Sequence, residues 1–191
     1  EGQFTCCSPY IYGGLPADPV CSSYLMAGKQ ALMHCGELNA VDELFDGMAA
    51  WEYFLLSHSP DGTVDYSYYG DWAAPGYACI GGEEGATNAE TPGVLMSTGY
   101  SYFNCVTLAD FARRTGRHAA ESKYRAAAAR VRDAFLAKWF DPATARVATG
   151  SMGAQAFALW LGILPPESEA AAARLMRDDL VNRDYRFTTG N

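Results

Sequence analysis

Three times along the chain, a charge-poor helical stretch ends at a glycine and gives way to a helical stretch with one charged face. Residues 21–35, 92–115 and 151–161 carry few charges or none. Gly36, Gly116 and Gly162 follow them, the last with Pro165 and Pro166 close behind. A helix poor in charge all round is buried on most sides, whereas one with a single wet face covers a core from outside. Glycine at such a junction suits the left-handed residue that closes a helix, and gaps this short force the two helices antiparallel. The pattern predicts three helical hairpins, each with an inner and an outer member, in a single all-α domain over residues 1–191. The glycines are unequally spaced, so a regular solenoid is excluded. Inner helices on one side and outer helices on the other are what a helical toroid requires.

The outer helices have clear stripes. Over residues 40–57, Val41, Leu44, Met48, Trp51 and Leu55 recur at the helical period, with Asn39 placed as N-cap and turn residues following from His58. Over 119–140 the stripe is Tyr124, Ala128, Val131, Phe135 and Trp139. Arg125, Arg130, Arg132 and Lys138 lie off it, and Asp141-Pro142 stops the helix. Over 167–182, Leu175, Met176 and Leu180 are apolar.

Charge narrows the partners. Lys and Arg number 14 against 22 Asp and Glu, a net charge of -8 with no basic cluster, so a phosphate backbone is repelled and no nucleic acid is expected. Residues 91–109 carry no formal charge and approach the length of a membrane span. Gly93, Ser97, Asn104 and Thr107 within them predict a buried helix instead, with no membrane partner. The six cysteines (6, 7, 21, 35, 79 and 105) include no CxxC pair, and His34, His58 and His118 stand alone, so neither a metal nor another cofactor is implied. Free, buried thiols in a reducing compartment are the simplest reading, which suggests a cytoplasmic protein. No signal-peptide pattern opens the chain, and it begins at Glu1 without an initiator methionine, so further sequence is expected upstream.

The connection 59–90 is long, and structureless connections of that size are uncommon unless they serve a site. Residues 63–68 alternate in polarity and predict a short strand. Asp61, Asp65, Asp71, Glu83, Glu84 and Glu90 share the connection with Tyr66, Tyr68, Tyr69, Trp72 and Tyr77. Sugars pack their C–H faces on aromatic rings and offer hydroxyls to carboxylates, so this mixture can form a wall that grips a sugar. The plainer alternative is that the rings plug the end of the core and Asp71 caps a turn. Glu83 and Glu84, set among glycines, read as a solvated tip, and His58 as a residue favoured at a helix C-terminus. Gln155 and Ser151 either line a central cavity or satisfy each other and the backbone. Asp178 and Asp179, on an outer helix, read as facing solvent.

In the order YGDWAAP, STGYSYFNCVTLADFARRTGR, FLAKWFDPATARVATGSMGAQAFALWLGILPPE and RDYRFTTGN, the chain resembles the catalytic domain of bacterial α-L-rhamnosidases, glycoside hydrolase family 78. The likeness runs over residues 1–191, and Gly-Asp-Trp and the terminal Thr-Thr-Gly are its most specific pieces. It implies an (α/α)6 barrel, of which this chain is an incomplete portion, and inverting hydrolysis of a small carbohydrate substrate, a terminal α-L-rhamnoside. By that resemblance Trp72 belongs to the apolar wall around the rhamnose methyl group. Asp71 is a polar contact or a support for the wall, and Tyr69 stands beside them. Asp18, in GLPADPV, sits where the family places an aspartate after a Gly-Trp or similar pair, although Leu15-Pro16-Ala17 precedes it here. The family's general acid and general base belong to motifs upstream and downstream of this stretch, and neither motif occurs in it. Inversion needs two carboxyls roughly 6.5–9.5 Å apart, so the chain is expected to be inactive alone.

Two other classes compete. One is a non-catalytic helical scaffold or glycan-binding module using the same loop. The other is a different carbohydrate-active or α/α-toroid enzyme. A lyase acting on uronates is disfavoured by the acidic loop, and a diphosphate-ionising cyclase by the lack of an aspartate-rich inner helix.

Overall fold

The computed structural model describes residues 22–67, 69–72 and 90–190. Asp18, Tyr68, Tyr77, Glu83, Glu84 and cysteines 6, 7, 21 and 79 lie outside them. The described elements run α1 (Ser23–Cys35), α2 (Leu38–Ser57), α3 (Gly93–Arg114), α4 (His118–Trp139), β1 (Phe140–Asp141), β2 (Arg146–Val147), α5 (Met152–Leu161) and α6 (Pro166–Asn182). They pair as α1–α2, α3–α4 and α5–α6. Gly36, Gly116 and Gly162 all adopt left-handed φ, between 60° and 74°, as the hairpin reading requires. After Gly162, the Ile163 amide reaches back to the Ala158 carbonyl, closing the last turn of α5.

α3 is the shared wall of two cores. On one side Leu25, Phe45, Trp51 and Leu55 pack with Cys105, Leu108 and Phe111; on the other Leu95 packs with Phe135, Val147, Phe157 and Ile163. Each large aliphatic side chain buried in this way contributes about 1.5–3 kcal/mol. The helix is uncharged over most of its length because it is enclosed: Ser97, Thr98, Ser101, Asn104 and Thr107 are buried along with its apolar residues. No described helix is long and apolar enough to cross a membrane. Gly99 sits where α5 crosses α3. A Cβ there would lie 2.3 Å from Phe157 Cε1 and 2.7 Å from Leu161 Cδ1, so only a bare backbone admits the crossing.

Several local expectations are corrected. α2 starts at Leu38, with Glu37 in the cap position, so Asn39 is already inside the helix. Its buried stripe uses Phe45, while Leu44 is 46% exposed. α1, charge-poor though it is, buries only Leu25 fully among its residues, because it packs by one face on α2 and α3. Cys35, at its end, is exposed; Cys105 is buried. Residues 63–67 form no strand. Their amides go elsewhere, Thr63 N–H to Asp61 Oδ1 and Val64 N–H to Thr98 Oγ1. The two short strands instead follow α4. Asp141 shapes their turn by accepting from the Ala143 amide and the Thr144 hydroxyl.

Gln155 satisfies backbone rather than lining a cavity. Its Oε1 accepts from Val147 N–H at 2.6 Å, and its Nε2 donates to the carbonyls of Ala145 and Ala172. Ser151 caps α5 by accepting from Ala154 N–H.

One carboxyl is sealed in the first core. Glu52 of α2 is wholly buried, and its Oε1 accepts from the Ser101 hydroxyl at 2.6 Å and the Cys105 thiol at 3.2 Å. Burial pushes its pKa up to about 8, against the pull of the neighbouring polar side chains of Ser101, Asn104 and Cys105. Asn104 commits its Nδ2 to Ser22 Oγ, leaving its Oδ1 and Glu52 Oε2 without a partner among the described residues.

Candidate functional site

Of the candidate residues Tyr69, Asp71 and Trp72, Asp71 is the buried one. Its carboxylate is 3% exposed, and Oδ1 accepts from Gly190 N–H at 2.7 Å. That contact joins Gly70-Asp71-Trp72 to Thr188-Thr189-Gly190 across 119 positions of sequence. Beside it opens a cavity of about 310 Å³. Asp71, Thr91, Gly153 and Thr189 line its polar corner. Met96 and Tyr100 of α3, with Ala156, Phe157 and Trp160 of α5, line the rest.

The aromatic wall comes from helices. Phe157 and Trp160 stack at 5.9 Å and 22°, Phe103 and Trp160 at 5.3 Å and 19°, and Tyr100 tilts against Phe157 at 5.3 Å. Trp160 remains 53% exposed, so part of its ring is accessible to a ligand. Phe157 with Trp160, and Tyr100 with Phe103, stand three residues apart, the helical spacing that aims two rings from one face. That spacing is the signal the sequence holds for this wall, and the aromatic loop, richer in rings, overshadows it. Trp72 and Tyr69 lie outside the cavity lining. They meet each other edge to face, with ring centroids 4.6 Å apart, and both are half-buried.

The polar corner is braced by ion pairs. Arg183 donates to Glu90 Oε1 at 3.2 Å and Oε2 at 2.8 Å, and its Nε donates to Asp179 Oδ1 at 3.0 Å. The Asp179 hydrogen bond, with the charges of Asp179 and Glu90, holds the guanidinium pKa above its usual value. Asp179 Oδ2 in turn accepts from Met152 N–H at the start of α5. Asp178, paired with Arg177, is exposed as its sequence position suggests, but Asp179 turns inward.

A larger groove of about 510 Å³ lies between Lys29, Thr107, Asp110 and Arg125. Its charges are already engaged: Asp110 with Arg113 and Arg114, Arg125 with Glu121, and Lys29 over the Phe103 ring. The smaller cavity better fits an uncharged, amphipathic ligand, with one carboxylate at one end and aromatic rings at the other. Among the described residues that line it Asp71 is the only carboxylate, so these residues do not supply the acid–base pair that glycoside inversion needs.

Over residues 1–191 the chain matches the family described as bacterial alpha-L-rhamnosidase 6 hairpin glycosidase domain. No curated protein matches it. Among solved structures, an alpha-L-rhamnosidase from Dictyoglumus thermophilum is 24% identical with a TM-score of 0.81, over 92% of this chain and 19% of its own. A Streptomyces avermitilis alpha-L-rhamnosidase complexed with L-rhamnose is 19% identical with a TM-score of 0.83, over 99% of this chain and 17% of its own. The native Aspergillus terreus enzyme is 19% identical with a TM-score of 0.87, over 99% and 22%. These similarities establish the fold, antiparallel hairpins forming part of a six-hairpin barrel. The chain spans about a fifth of the length of these relatives.

Proposed function

Because the chain belongs to the bacterial α-L-rhamnosidase six-hairpin glycosidase family, we propose that it supplies part of the sugar-binding cavity of a glycosidase that cleaves terminal α-L-rhamnosides with inversion. The observation that carries this reading is the Asp71–Gly190 contact at the mouth of an aromatic cavity. In that reading the Asp71 carboxylate, held to Gly190 N–H through Oδ1, also accepts from a sugar hydroxyl. Tyr100, Phe157 and Trp160 take the C–H face of the ring. Trp72 and Tyr69 buttress the loop that holds Asp71, and the acid and base come from outside residues 1–191. Asp18 is a further candidate contact.

The test uses an aryl α-L-rhamnoside with the complete polypeptide and with the 191-residue chain. The chain alone should give no turnover; robust turnover would place the acid and base inside it. In the complete protein, Asp71→Asn keeps an acceptor for Gly190 N–H but loses the charged acceptor, and kcat/KM should fall about 10- to 100-fold, the worth of one charge-assisted hydrogen bond. Trp160→Ala should weaken binding about tenfold with little loss of stability, because the indole is half in solvent. Unchanged kcat/KM in both variants would remove the cavity from the reaction.

A further inference from the structure

The groups that form the polar corner of the cavity arrive from four separate places in the chain, and three of those places are held by one side chain. Glu90, which Arg183 grips with two nitrogens, immediately precedes Thr91. Asp179, which takes the third nitrogen, holds the amide of Met152, and Met152 immediately precedes Gly153. Arg183 itself leads into the segment that ends at Thr189 and Gly190. The Glu90 carbonyl is held as well, accepting from the hydroxyls of Thr149 and, at 3.0 Å, Ser151.

Tolerance at the corner is small. A Cβ on Gly153 would sit 2.7 Å from Thr189 Cγ2, 2.8 Å from Thr91 Oγ1 and 3.6 Å from Asp71 Oδ2. The three segments therefore meet with no spare methyl group of space, and the Asp71 carboxylate rests against the junction through Gly190 N–H. A shift in any segment is passed to the others by contact.

We infer that Arg183 is a positioning residue for the cavity: by fastening the segments that carry Thr91, Gly153 and Thr189-Gly190, it fixes the orientation of the Asp71 carboxylate without touching the ligand. This rests on the sugar-site reading above for its functional consequence, but not for its structural one. A bare, half-exposed ion pair would do neither, since such pairs contribute little when isolated. The fork geometry separates the two cases, because lysine keeps the charge but reaches only one carboxylate at a time.

The experiment compares Arg183→Met, Arg183→Lys and Glu90→Gln with the wild type in the complete polypeptide. Two readouts are taken: kinetics on an aryl α-L-rhamnoside, and hydrogen-exchange protection of the Gly190 amide. Arg183→Met should lose Gly190 protection and at least tenfold in kcat/KM, as expected when a catalytic contact is misplaced by a fraction of an ångström. Arg183→Lys should recover part of both. If Arg183→Met fails to fold, Glu90→Gln decides, with loss of Gly190 protection in a folded protein supporting the inference. Undiminished protection and kinetics in a folded Arg183→Met or Glu90→Gln protein would overturn it. If the wild type turns over no rhamnoside, the functional reading falls, and the Gly190 exchange still decides whether Arg183 sets the corner.

Discussion

Replacing Glu52 by glutamine should make the protein more stable at neutral and alkaline pH. The folded carboxyl holds its proton up to about pH 8, whereas the unfolded one releases it near 4.5. Unfolding therefore releases a proton anywhere between those values. The contribution of this group is most favourable below pH 4.5, falls through the window and levels off above about 8. At about 1.4 kcal/mol for each pH unit, the full loss is on the order of 5 kcal/mol, of which about 3 has accrued by pH 7. Glutamine does not titrate. Its carbonyl can accept from Ser101 and Cys105 as the carboxyl does, and its amide nitrogen replaces an oxygen that has no partner among the described residues. The neighbours do not blur the window: burial pushes the Cys105 thiol well above its usual range and moves Tyr124 to about 12. The assay is native-state hydrogen exchange of the Cys105 and Leu108 amides from about pH 5 to 9, corrected for intrinsic rates. The wild-type opening free energy should fall across the range while the Glu52→Gln value stays flat, the two meeting at the acid end. Parallel pH dependence in the two proteins would refute the reasoning and mean that Glu52 exchanges no proton on opening.

Thiol chemistry should separate Cys35 from Cys105: peptide mapping after brief alkylation should find Cys35 modified and Cys105 intact, because the latter is buried and held as a thiol. Gly99→Ala should destabilise by about 1–3 kcal/mol in chemical denaturation, since the new methyl meets the Phe157 ring, and should also disturb the aromatic wall.

The helices were readable because their signals are local. The stripe Tyr124, Ala128, Val131 and Phe135 is a property of α4 alone, and left-handed glycines close the hairpins wherever the gap is short. What failed to read depends on partners elsewhere. α1 is charge-poor, but burial is decided by what packs against it, and among the described elements α2 and α3 bury only Leu25 fully. Residues 63–67 alternate as a strand would, but a strand needs a neighbour, and the available acceptor was Thr98 on a helix. Asp178 and Asp179 are adjacent in sequence but point about a quarter-turn apart, so one meets solvent and the other meets α5. For the cavity, Asp71 was legible from its motif. The rings of α3 and α5 were not, because aromatic residues at helical spacing are ordinarily core, and Arg183 finds Glu90 across 93 positions.

Gln155 carries a consequence for how this region can change over evolution. One amide saturates a donor in β2, an acceptor in the turn before it and an acceptor in α6. Glutamate would lack the donors and methionine would lack everything, leaving the Val147 amide and the Ala145 carbonyl without this partner. Residues 140–147 and position 155 are thus bound to a common fate: lineages that redesign the turn must surrender the glutamine in the same step, and those that keep the glutamine inherit the turn with it.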